Sequence, residues 1–286
     1  MIEAILEAAK IDNTDFGNLE AIDSLSGGCI CDAYRLKDTQ GRQLFLKTGG
    51  ALPVNLLELE AEALQELSKT NTLRVPMVIA VGKEPRPYLC LEFIEFSSPQ
   101  GSSYEKLGTQ LAELHQHSAN QYGWSSDNFA GETPQQNQFS SSWIDFFRES
   151  RLIPQIRLAE TKGLKIPRID QFLDSLDKWF PEESSINPAL LHGDLWSGNV
   201  AFENGSNPTL FDPALYYGHR EIDLAMTQLF GGFPESFYKA YSIAWPLDEG
   251  HEDRVAIYNL YPVLNHYNLF GGSYGDQAQH IVASYL

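Results

Sequence analysis

The sequence has 286 residues, and its content of 43% hydrophobic and 12% aromatic residues excludes a disordered or fibrous protein. Its 38 aspartates and glutamates against 20 lysines and arginines give a formal net charge of −18, which disfavours binding to nucleic acid and to anionic membrane surfaces. Such a charge is compatible with a cationic or neutral partner, and it also favours solubility.

The cysteine content points to a reduced compartment. Cys29, Cys31 and Cys90 are too few for a disulfide framework or a four-ligand zinc site. We therefore predict a cytoplasmic protein. The first segment, Met1–Asp12, has apolar residues at helical spacing with acidic residues between them, which predicts an amphipathic helix rather than a cationic signal peptide.

Residues 1–96 predict a small, mainly antiparallel sheet with one inserted helix. Short β-like runs are separated by glycines and turn residues, and one alanine-, leucine- and glutamate-rich segment has helical periodicity. The strands are predicted at Glu20–Leu25, Ala33–Lys37, Gln43–Lys47, Val75–Val81 and Tyr88–Phe93, and the helix at Leu56–Ser68.

Residues 97–286 are mainly helical in pattern. A polar segment at Ser97–Ser103 is the best candidate for a linker. Helices are predicted at Tyr104–His117, Ser141–Glu160, Ile169–Trp179, Ile222–Leu229, Glu235–Ile243, His251–Phe270 and Gln277–Tyr285. We therefore predict an α+β chain with two lobes, 1–96 and 97–286, and a ligand site in the cleft between them.

The densest chemistry lies in the His192-Gly193-Asp194 segment, which is followed by Asn199 and then by Asp212. This spacing is typical of phosphotransferases, because phosphoryl transfer needs a carboxylate beside the attacking hydroxyl and charge neutralisation of the phosphates. Asp194 is the predicted catalytic base. Asn199 and Asp212 offer the hard oxygen ligands that Mg²⁺ prefers. We predict a structural, hydrogen-bonding role for His192.

The first lobe is expected to bind the nucleotide. The turn containing Gly27, Gly28 and Cys29 lies between two predicted strands, where backbone amides can cover phosphates. Lys47 ends a strand and Glu60 follows on the predicted helix, which is the arrangement that kinases use to contact the α- and β-phosphates. A later strand ends at Glu92, Phe93 and Ile94, whose backbone is expected to meet adenine; the alternative is an ordinary buried strand.

Longer motifs connect these residues to a known family. They include Gly27–Ile30, Phe45–Lys47, Leu107–His115, Tyr122–Trp124, Asp127–Phe129, Gly131–Asn137, Trp143–Arg148, His192–Asn199 and Asp212–Ala225. In these motifs the chain resembles the fructosamine-3-kinase, or ketosamine-3-kinase, family. That family is a branch of the protein-kinase-like superfamily near the aminoglycoside phosphotransferases. The Trp196–Gly198, Tyr217–Glu221 and Trp124–Gln135 segments are much more specific to this family than the histidine–glycine–aspartate motif is.

The resemblance implies a protein-kinase-like fold and ATP- and Mg²⁺-dependent phosphorylation of the 3-hydroxyl of a ketosamine. Ketosamines are the sugar adducts that glycation leaves on small amines and on protein lysines, so the implied activity is deglycation. Asp223 is implied to brace the catalytic loop, with a helix N-terminal cap as the alternative. The partner would be a small or protein-borne ketosamine, and we expect a monomer or weak dimer.

Other residues carry two interpretations each. Trp196, Tyr217, His219 and Glu221 are implied to form an acceptor wall beside Asp194, since aromatic faces and a carboxylate suit a protonated amine; the alternative is internal packing. Cys29 is either a redox-sensitive thiol above the phosphates or a small residue filling a turn.

Arg148 and Arg151 are expected on a solvated face, with a position at the cleft as the alternative, and His266 is expected in the core or at its rim. Two other functions also remain open. One is a kinase of the same fold for an aminoglycoside or an amino alcohol, and the other is a non-catalytic kinase-like binding module.

Overall fold

The computed structural model describes residues 4, 5, 7, 19–25, 31–180 and 186–286. The glycine turn with Gly27, Gly28 and Cys29, and most of the helix predicted at Met1–Asp12, lie outside the described residues. Of that helix, the buried side chain of Ile5 is described, and it belongs to the apolar core of the first sheet.

The chain divides into two compact units. The first contains Met1–Ser103 and Ala201–Pro213, and the second contains Tyr104–Val200 and Ala214–Leu286. This division differs from the predicted boundary after residue 96. Strand β6 (Phe96–Ser97) pairs antiparallel with β10 (Val200–Glu203), and this pairing attaches the residues around 97 and around 202 to the same unit.

The first unit is built on a five-stranded antiparallel sheet with the order β1-β2-β3-β5-β4. Its strands are β1 (Leu19–Leu25), β2 (Asp32–Asp38), β3 (Gln43–Thr48), β4 (Val78–Gly82) and β5 (Tyr88–Glu92), and its helix is α1 (Leu56–Lys69). These are the predicted elements. Strand β4 begins three residues later than predicted, after Pro76, which has no N–H for a strand ladder.

Alternation and helical periodicity explain the core of this unit. In β3, Leu44 and Leu46 are buried while their neighbours are partly exposed. Helix α1 buries Leu57, Ala61, Leu64 and Leu67, a spacing that forms one helical stripe, and it packs on β4 and β5. A separate three-stranded sheet has the order β11-β10-β6, with β11 at Asn207–Leu210.

The second unit is mainly helical. Its helices are α2 (Ser103–His115), α3 (Trp143–Phe146), α4 (Ile153–Thr161), α5 (Ile169–Asp174), α6 (Glu221–Leu229), α7 (Glu235–Ala244), α8 (His251–Phe270) and α9 (Tyr274–Ser284). Two short hairpins complete it: β7 (Asn128–Ala130) with β8 (Thr133–Gln135), and β9 (Ala189–Leu191) with β12 (Tyr216–Gly218). The core is aromatic, with Trp143 against the rings of Phe146, Phe147 and Tyr258.

The helix predicted at Ser141–Glu160 is interrupted, and the expectation of one continuous helix was wrong. A π-helical segment at Phe147–Leu152 separates α3 from α4. Pro154 cannot donate to the carbonyl of Ser150, and that carbonyl instead accepts a hydrogen bond from Arg151 Nη1 at 3.0 Å. Arg151 is fully buried, so its expected place on a solvated face was also wrong.

The remaining differences from the predicted elements are local. The segment predicted as Ile169–Trp179 changes after Asp174 to a 3-10 turn at Leu176–Lys178. Helix α9 begins at Tyr274, three residues before the predicted start. Within the described part of the chain, no helix is both long and apolar enough to cross a membrane.

Gly108 sets the approach of α2 to α7, and its replacement by alanine tests this packing. A Cβ at this position would collide with the carbonyl oxygen of Phe237 and would lie 3.1 Å from the Tyr241 nitrogen. Although alanine favours helix by about 1 kcal/mol, we expect Gly108→Ala to lower the free energy of unfolding by about 2 kcal/mol through overpacking. Denaturant titration measures this. Thr109→Ala, on the exposed face of α2, is the control and should not destabilise; equal behaviour of the two variants would contradict the packing.

Candidate active site

The loop after β9 carries the predicted catalytic base. Gly193 has a φ of +82°, and a Cβ there would collide with the carbonyl oxygen of Ala214, so the loop requires glycine. The side-chain amide of Asn199 donates to the Asp194 carbonyl at 2.9 Å and to Asp194 Oδ2 at 3.1 Å. Asn199 therefore holds both the backbone and the carboxylate of Asp194. Its Oδ1, which takes no part in these two bonds, is an oxygen donor of the type that Mg²⁺ prefers.

The carboxylate of Asp223, in the first turn of α6, holds the backbone of this loop. Its two oxygens accept from His192 N at 2.7 Å and from Gly193 N at 2.9 Å. Burial raises the pKa of Asp223, but the hydrogen bonds that its carboxylate accepts from His115 and from the Gly193 N–H lower it by more, so its pKa lies below the ordinary value of 3.8. Asp223 is thus a buried anion at the loop.

His115 and Tyr241 support Asp223, and the sequence assigned no role to either. His115 Nε2 lies 3.2 Å from Asp223 Oδ2, and its Nδ1 lies 2.8 Å from the Tyr241 hydroxyl. Burial lowers the pKa of His115 below 6.5, so the imidazole is neutral at pH 7. An ionised carboxylate only accepts, so Nε2 carries the hydrogen and Nδ1 accepts from the hydroxyl. In the sequence, the one indication of this role was that His115 ends an amphipathic helix.

His192 takes part in the loop itself. It is fully buried, its Nδ1 accepts from the Asp194 N–H at 3.3 Å, and its carbonyl accepts from the Ala214 N–H at 2.9 Å. These contacts suit the structural role predicted for this residue.

In the first unit the structure brings Lys47, Glu60 and Asp212 together. Lys47 Nζ, at the end of β3, donates to Glu60 Oε1 on α1 at 2.7 Å and also to Asp212 Oδ1. Burial lowers the pKa of Lys47, but the two carboxylates raise it by more, so its ammonium stays charged. Burial raises the pKa of Glu60 to about 6. The backbone of Asp212 has a φ of 57°, which is sparsely populated by non-glycine residues.

The segment predicted to meet adenine follows β5. The backbone N–H of Glu92 donates to the Met77 carbonyl at 2.9 Å, and its carboxylate accepts from Met77 N at 2.7 Å and from Arg74 Nη2 at 3.0 Å. The N–H of Glu92 is therefore already bonded within the protein. If this segment donates a backbone hydrogen bond to adenine, the donor would be Phe93 or Ile94. The guanidinium of Arg35 lies 5.4 Å from the ring centre of Phe93.

The four residues implied to form the acceptor wall separate into two pairs. Trp196 and Tyr217 are half-buried. Trp196 meets the ring of Phe230 edge-on, with the ring centres 5.7 Å apart, and Tyr217 lies 5.7 Å from the ring of Trp124.

His219 and Glu221 are interior residues. They are 3% and 4% exposed. His219 Nδ1 pairs with the Tyr258 hydroxyl, and Glu221 binds Arg254 through two bonds of 2.7 and 2.8 Å. Burial, Arg254 and Arg220 lower the pKa of His219 to about 3. The structure thus favours the packing alternative for this pair, because an arginine distant in sequence occupies the carboxylate.

His219 and Glu221 also belong to a possible metal-ligand set, which their chemistry does not favour. Ligand atoms of His219, Glu221 and Asp248 lie within 4.8 Å of one another. Both oxygens of Glu221 already bind Arg254, and a cation here would face that guanidinium at close range. Asn199 and Asp212 therefore remain the better candidates for metal ligands.

Replacing Asp223 tests the brace. An asparagine at this position would present an NH₂ group to one of the two backbone donors, so we expect Asp223→Asn to lower the free energy of unfolding by about 2–4 kcal/mol at neutral pH. Because the pKa of Asp223 is lowered on folding, its contribution is complete above its unfolded pKa and is lost as the pH falls through the folded value. The stability gap between wild type and variant should therefore narrow on titration from about pH 7 to about pH 3.

Asp170, which is exposed in the first turn of α5, provides the control. Asp170→Asn should cost at most about 1 kcal/mol. A gap between wild type and Asp223→Asn that stays constant with pH, or that matches this control, would contradict the brace.

Comparison with known proteins places the chain. The fructosamine kinase family model matches residues 1–286. A probable ketoamine kinase of Synechocystis is 42% identical over 272 residues, covering 92% of this chain and 89% of that protein. The chloroplastic protein-ribulosamine 3-kinase of Arabidopsis thaliana is 40% identical over 280 residues, covering 93% and 82%.

Solved structures agree with this placement. The crystal structure of a candidate fructosamine-3-kinase from Haemophilus somnus matches with a TM-score of 0.87 and 30% identity, over 100% of this chain and 98% of that one. The aminoglycoside phosphotransferase APH(4)-Ia, at 16% identity and a TM-score of 0.62, covers 95% of this chain and 96% of its own and shares the fold. The predicted α+β, protein-kinase-like fold is thus confirmed, and the chain belongs to the fructosamine kinase family.

Proposed function

We propose that this protein is an ATP-dependent kinase that phosphorylates the 3-hydroxyl of ketosamines and so begins their removal from amines. The observation that carries the proposal is the loop geometry at Asp194: its carboxylate is held by Asn199, and its backbone lies beside two amides bound to Asp223. Family relatives named as ketoamine and ribulosamine kinases support the substrate class.

Asp194 would act as the general base. Its carboxylate accepts the proton of the ketosamine hydroxyl while that oxygen forms a bond to the γ-phosphorus of ATP and the bond to the ADP oxygen breaks. A carboxylate whose position is fixed before the substrate binds lowers the cost of this alignment. Asn199 supplies that fixation through its two bonds to Asp194.

The nucleotide contacts come from the first unit. Lys47 carries the charge that would meet the α- and β-phosphates, and Glu60 orients it. The backbone at Phe93 and Ile94 is the proposed adenine contact, and the turn at Gly27, Gly28 and Cys29 is the proposed phosphate cover. Asn199 Oδ1 and the Asp212 carboxylate are the proposed ligands of Mg²⁺, which neutralises phosphate charge when bound. Their oxygen chemistry fits this ion.

The acceptor side is proposed at Trp196. Its ring meets Phe230, and the Phe230 ring lies 4.8 Å from that of His266, so an aromatic face begins two residues after the catalytic base. Such a face attracts a protonated secondary amine by cation–π interaction. We keep Trp196 and Tyr217 in the proposed acceptor site. His219 and Glu221 are instead interior residues that bind Tyr258 and Arg254.

The partners follow from this chemistry. We propose a small or protein-borne ketosamine as acceptor and a cytoplasmic setting, with the chain acting as a monomer or weak dimer. The net charge of −18 suits an acceptor that carries a protonated amine.

A substrate panel tests the proposal. Phosphate transfer from Mg²⁺-ATP should be measured on a ribulosamine, a fructosamine, an aminoglycoside and choline, with Asp194→Asn as the control for background ATP hydrolysis. We expect transfer to at least one ketosamine and a loss of about 10²–10⁴-fold in its rate in the variant. Transfer to the aminoglycoside or choline alone would establish the alternative kinase function, and no transfer to any acceptor would favour a binding module.

A further inference from the structure

A group of buried amides lies beneath the segment that follows Asp212. Asn128 and Gln135, on β7 and β8, and Asn137 just after β8 are 8%, 1% and 1% exposed; we call them the amide cluster. Asn128 and Gln135 belong to the family-specific stretch Trp124–Gln135, Asn137 follows it by two residues, and the proposed mechanism gives the three no role. Buried amides are costly unless every donor and acceptor is paired, so their partners show what this hairpin holds.

The amide cluster is a connected network with a fixed direction. Arg151 Nη2 donates to Asn137 Oδ1 at 2.7 Å, Asn137 Nδ2 donates to Asn128 Oδ1 at 3.0 Å, and Gln135 Nε2 donates to the same oxygen at 2.8 Å. A guanidinium can only donate. Asn137 and Asn128 must therefore each present the oxygen toward the arginine side and the NH₂ group away from it, and Gln135 must turn its NH₂ group toward Asn128 Oδ1.

The network ends on two backbone carbonyls, which can only accept. Gln135 Nε2 donates to the carbonyl of Ala214 at 3.1 Å, and Asn128 Nδ2 donates to that of Leu215 at 2.8 Å. The Ala214 carbonyl requires the NH₂ group of Gln135 to face it, and the Tyr261 hydroxyl then donates to Gln135 Oε1 at 2.8 Å. A donor-only group at one end and acceptors at the other exclude the flipped amide orientations.

The segment held in this way lies against the catalytic loop. The Ala214 N–H donates to the His192 carbonyl at 2.9 Å, and Gly193 packs so closely on the Ala214 carbonyl that a Cβ would collide with it. Strand β12, which follows, pairs Tyr216 with Leu191 directly before the loop. The carbonyl that Gln135 holds is thus the one on which Gly193 rests, and Asp194 is the next residue.

Arg151 anchors the other end without a carboxylate partner among the described residues. Its charge lies 3.9 Å from the ring centre of Tyr216 and 4.6 Å from that of Phe146, and it donates to the carbonyls of Gln136 and Ser150. Cation–π contacts and carbonyls stabilise a buried guanidinium. Since Tyr216 begins β12, Arg151 contacts both the amide cluster and the strand that directly follows the segment the cluster holds.

We propose that Gln135 and Asn128 are positioning residues for the catalytic base. They fix the Ala214 and Leu215 carbonyls, and this segment forms the surface on which His192 and Gly193 rest, while Asp223 holds the same two residues from the other side through their N–H groups. The catalytic loop is therefore fixed between α6 and the segment that the amide cluster secures. This role rests on the proposed function, because it concerns the base of that reaction.

Gln135→Met tests the proposal against Gln155→Met as the matched control. Gln155 is 3% exposed and is bonded to the buried amides of Asn265 and Asn268. It also contacts the Tyr261 hydroxyl, but among the described residues it has no bond to the Ala214 or Leu215 carbonyl. Both variants should lose thermal stability. We expect kcat for the ketosamine to fall about 10- to 100-fold in Gln135→Met alone, because sub-ångström displacement of a base is costly, and the KM for Mg²⁺-ATP to stay within about twofold.

Hydrogen–deuterium exchange provides a readout that does not need a substrate. The His192 and Gly193 amides should exchange faster in Gln135→Met than in Gln155→Met. The inference would be overturned if these amides exchanged equally fast in both variants. It would also be overturned if the wild type were active and kcat fell equally in both variants. A wild type inactive on ketosamines, with the exchange contrast intact, would instead contradict only the proposed function.

Tyr261→Phe keeps the inference testable if Gln135→Met does not fold. It removes the hydroxyl that donates to Gln135 Oε1 and that also contacts Gln155, so we expect a several-fold fall in kcat and faster exchange at Gly193. Tyr267→Phe, on the same helix, removes a hydroxyl that donates to the Lys162 carbonyl and should leave both unchanged. The same kcat and exchange in these two variants would overturn the positioning role.

Discussion

The loop that carries Asp194 depends on one interaction, the hydrogen bonding of the buried Asp223 carboxylate to the loop backbone. This carboxylate has no exposed surface, so its charge is tolerated only because its oxygens accept two backbone N–H bonds from the loop and lie beside His115. An ionised acceptor of this kind allows one loop conformation, since any other leaves a buried charge without donors. The positions of His192 and Gly193, and with them Asp194, follow from that constraint.

The second unit supports this anion from several directions. His115 and Tyr241 reach it from α2 and α7, and the close approach of those helices at Gly108 permits the contact. On the opposite side, Ala214 donates to the His192 carbonyl and lies against Gly193. The loop is thus held through backbone atoms on both sides, and the Asp194 carboxylate is held by Asn199. Because phosphoryl transfer depends mainly on positioning and on charge stabilisation, a base that is held in place before the substrate binds lowers the cost of reaching the transition state.

Much of this could be predicted from local pattern. Alternation in Leu44 and Leu46 and the helical stripe of α1 depend on neighbours in sequence, and the catalytic motif has a short, fixed spacing. What could not be predicted depends on residues far apart in the chain. By residue type, Glu221 could bind a substrate amine. Its place in the interior depends on its ion pair with Arg254, which lies 33 residues later in the chain. Arg151 carries a charge that is usual at a surface, and its burial is explained by the rings of Phe146 and Tyr216 and by the oxygens to which it donates, among them the carbonyl freed by Pro154. Three-residue strands such as β7 and β12 are too short for alternation to appear.

The central claim is that the buried framework acts on catalysis through Asp194, and epistasis measures this directly. Single-turnover rates of phosphate transfer should be compared for Asp223→Asn and Gln135→Met, each in the wild-type and in the Asp194→Asn background. If these residues serve to place the base, their losses should largely disappear once the base is absent, because coupled residues are strongly non-additive. If each variant instead loses the same factor in both backgrounds, the framework acts independently of Asp194, and its role in placing the base would be contradicted.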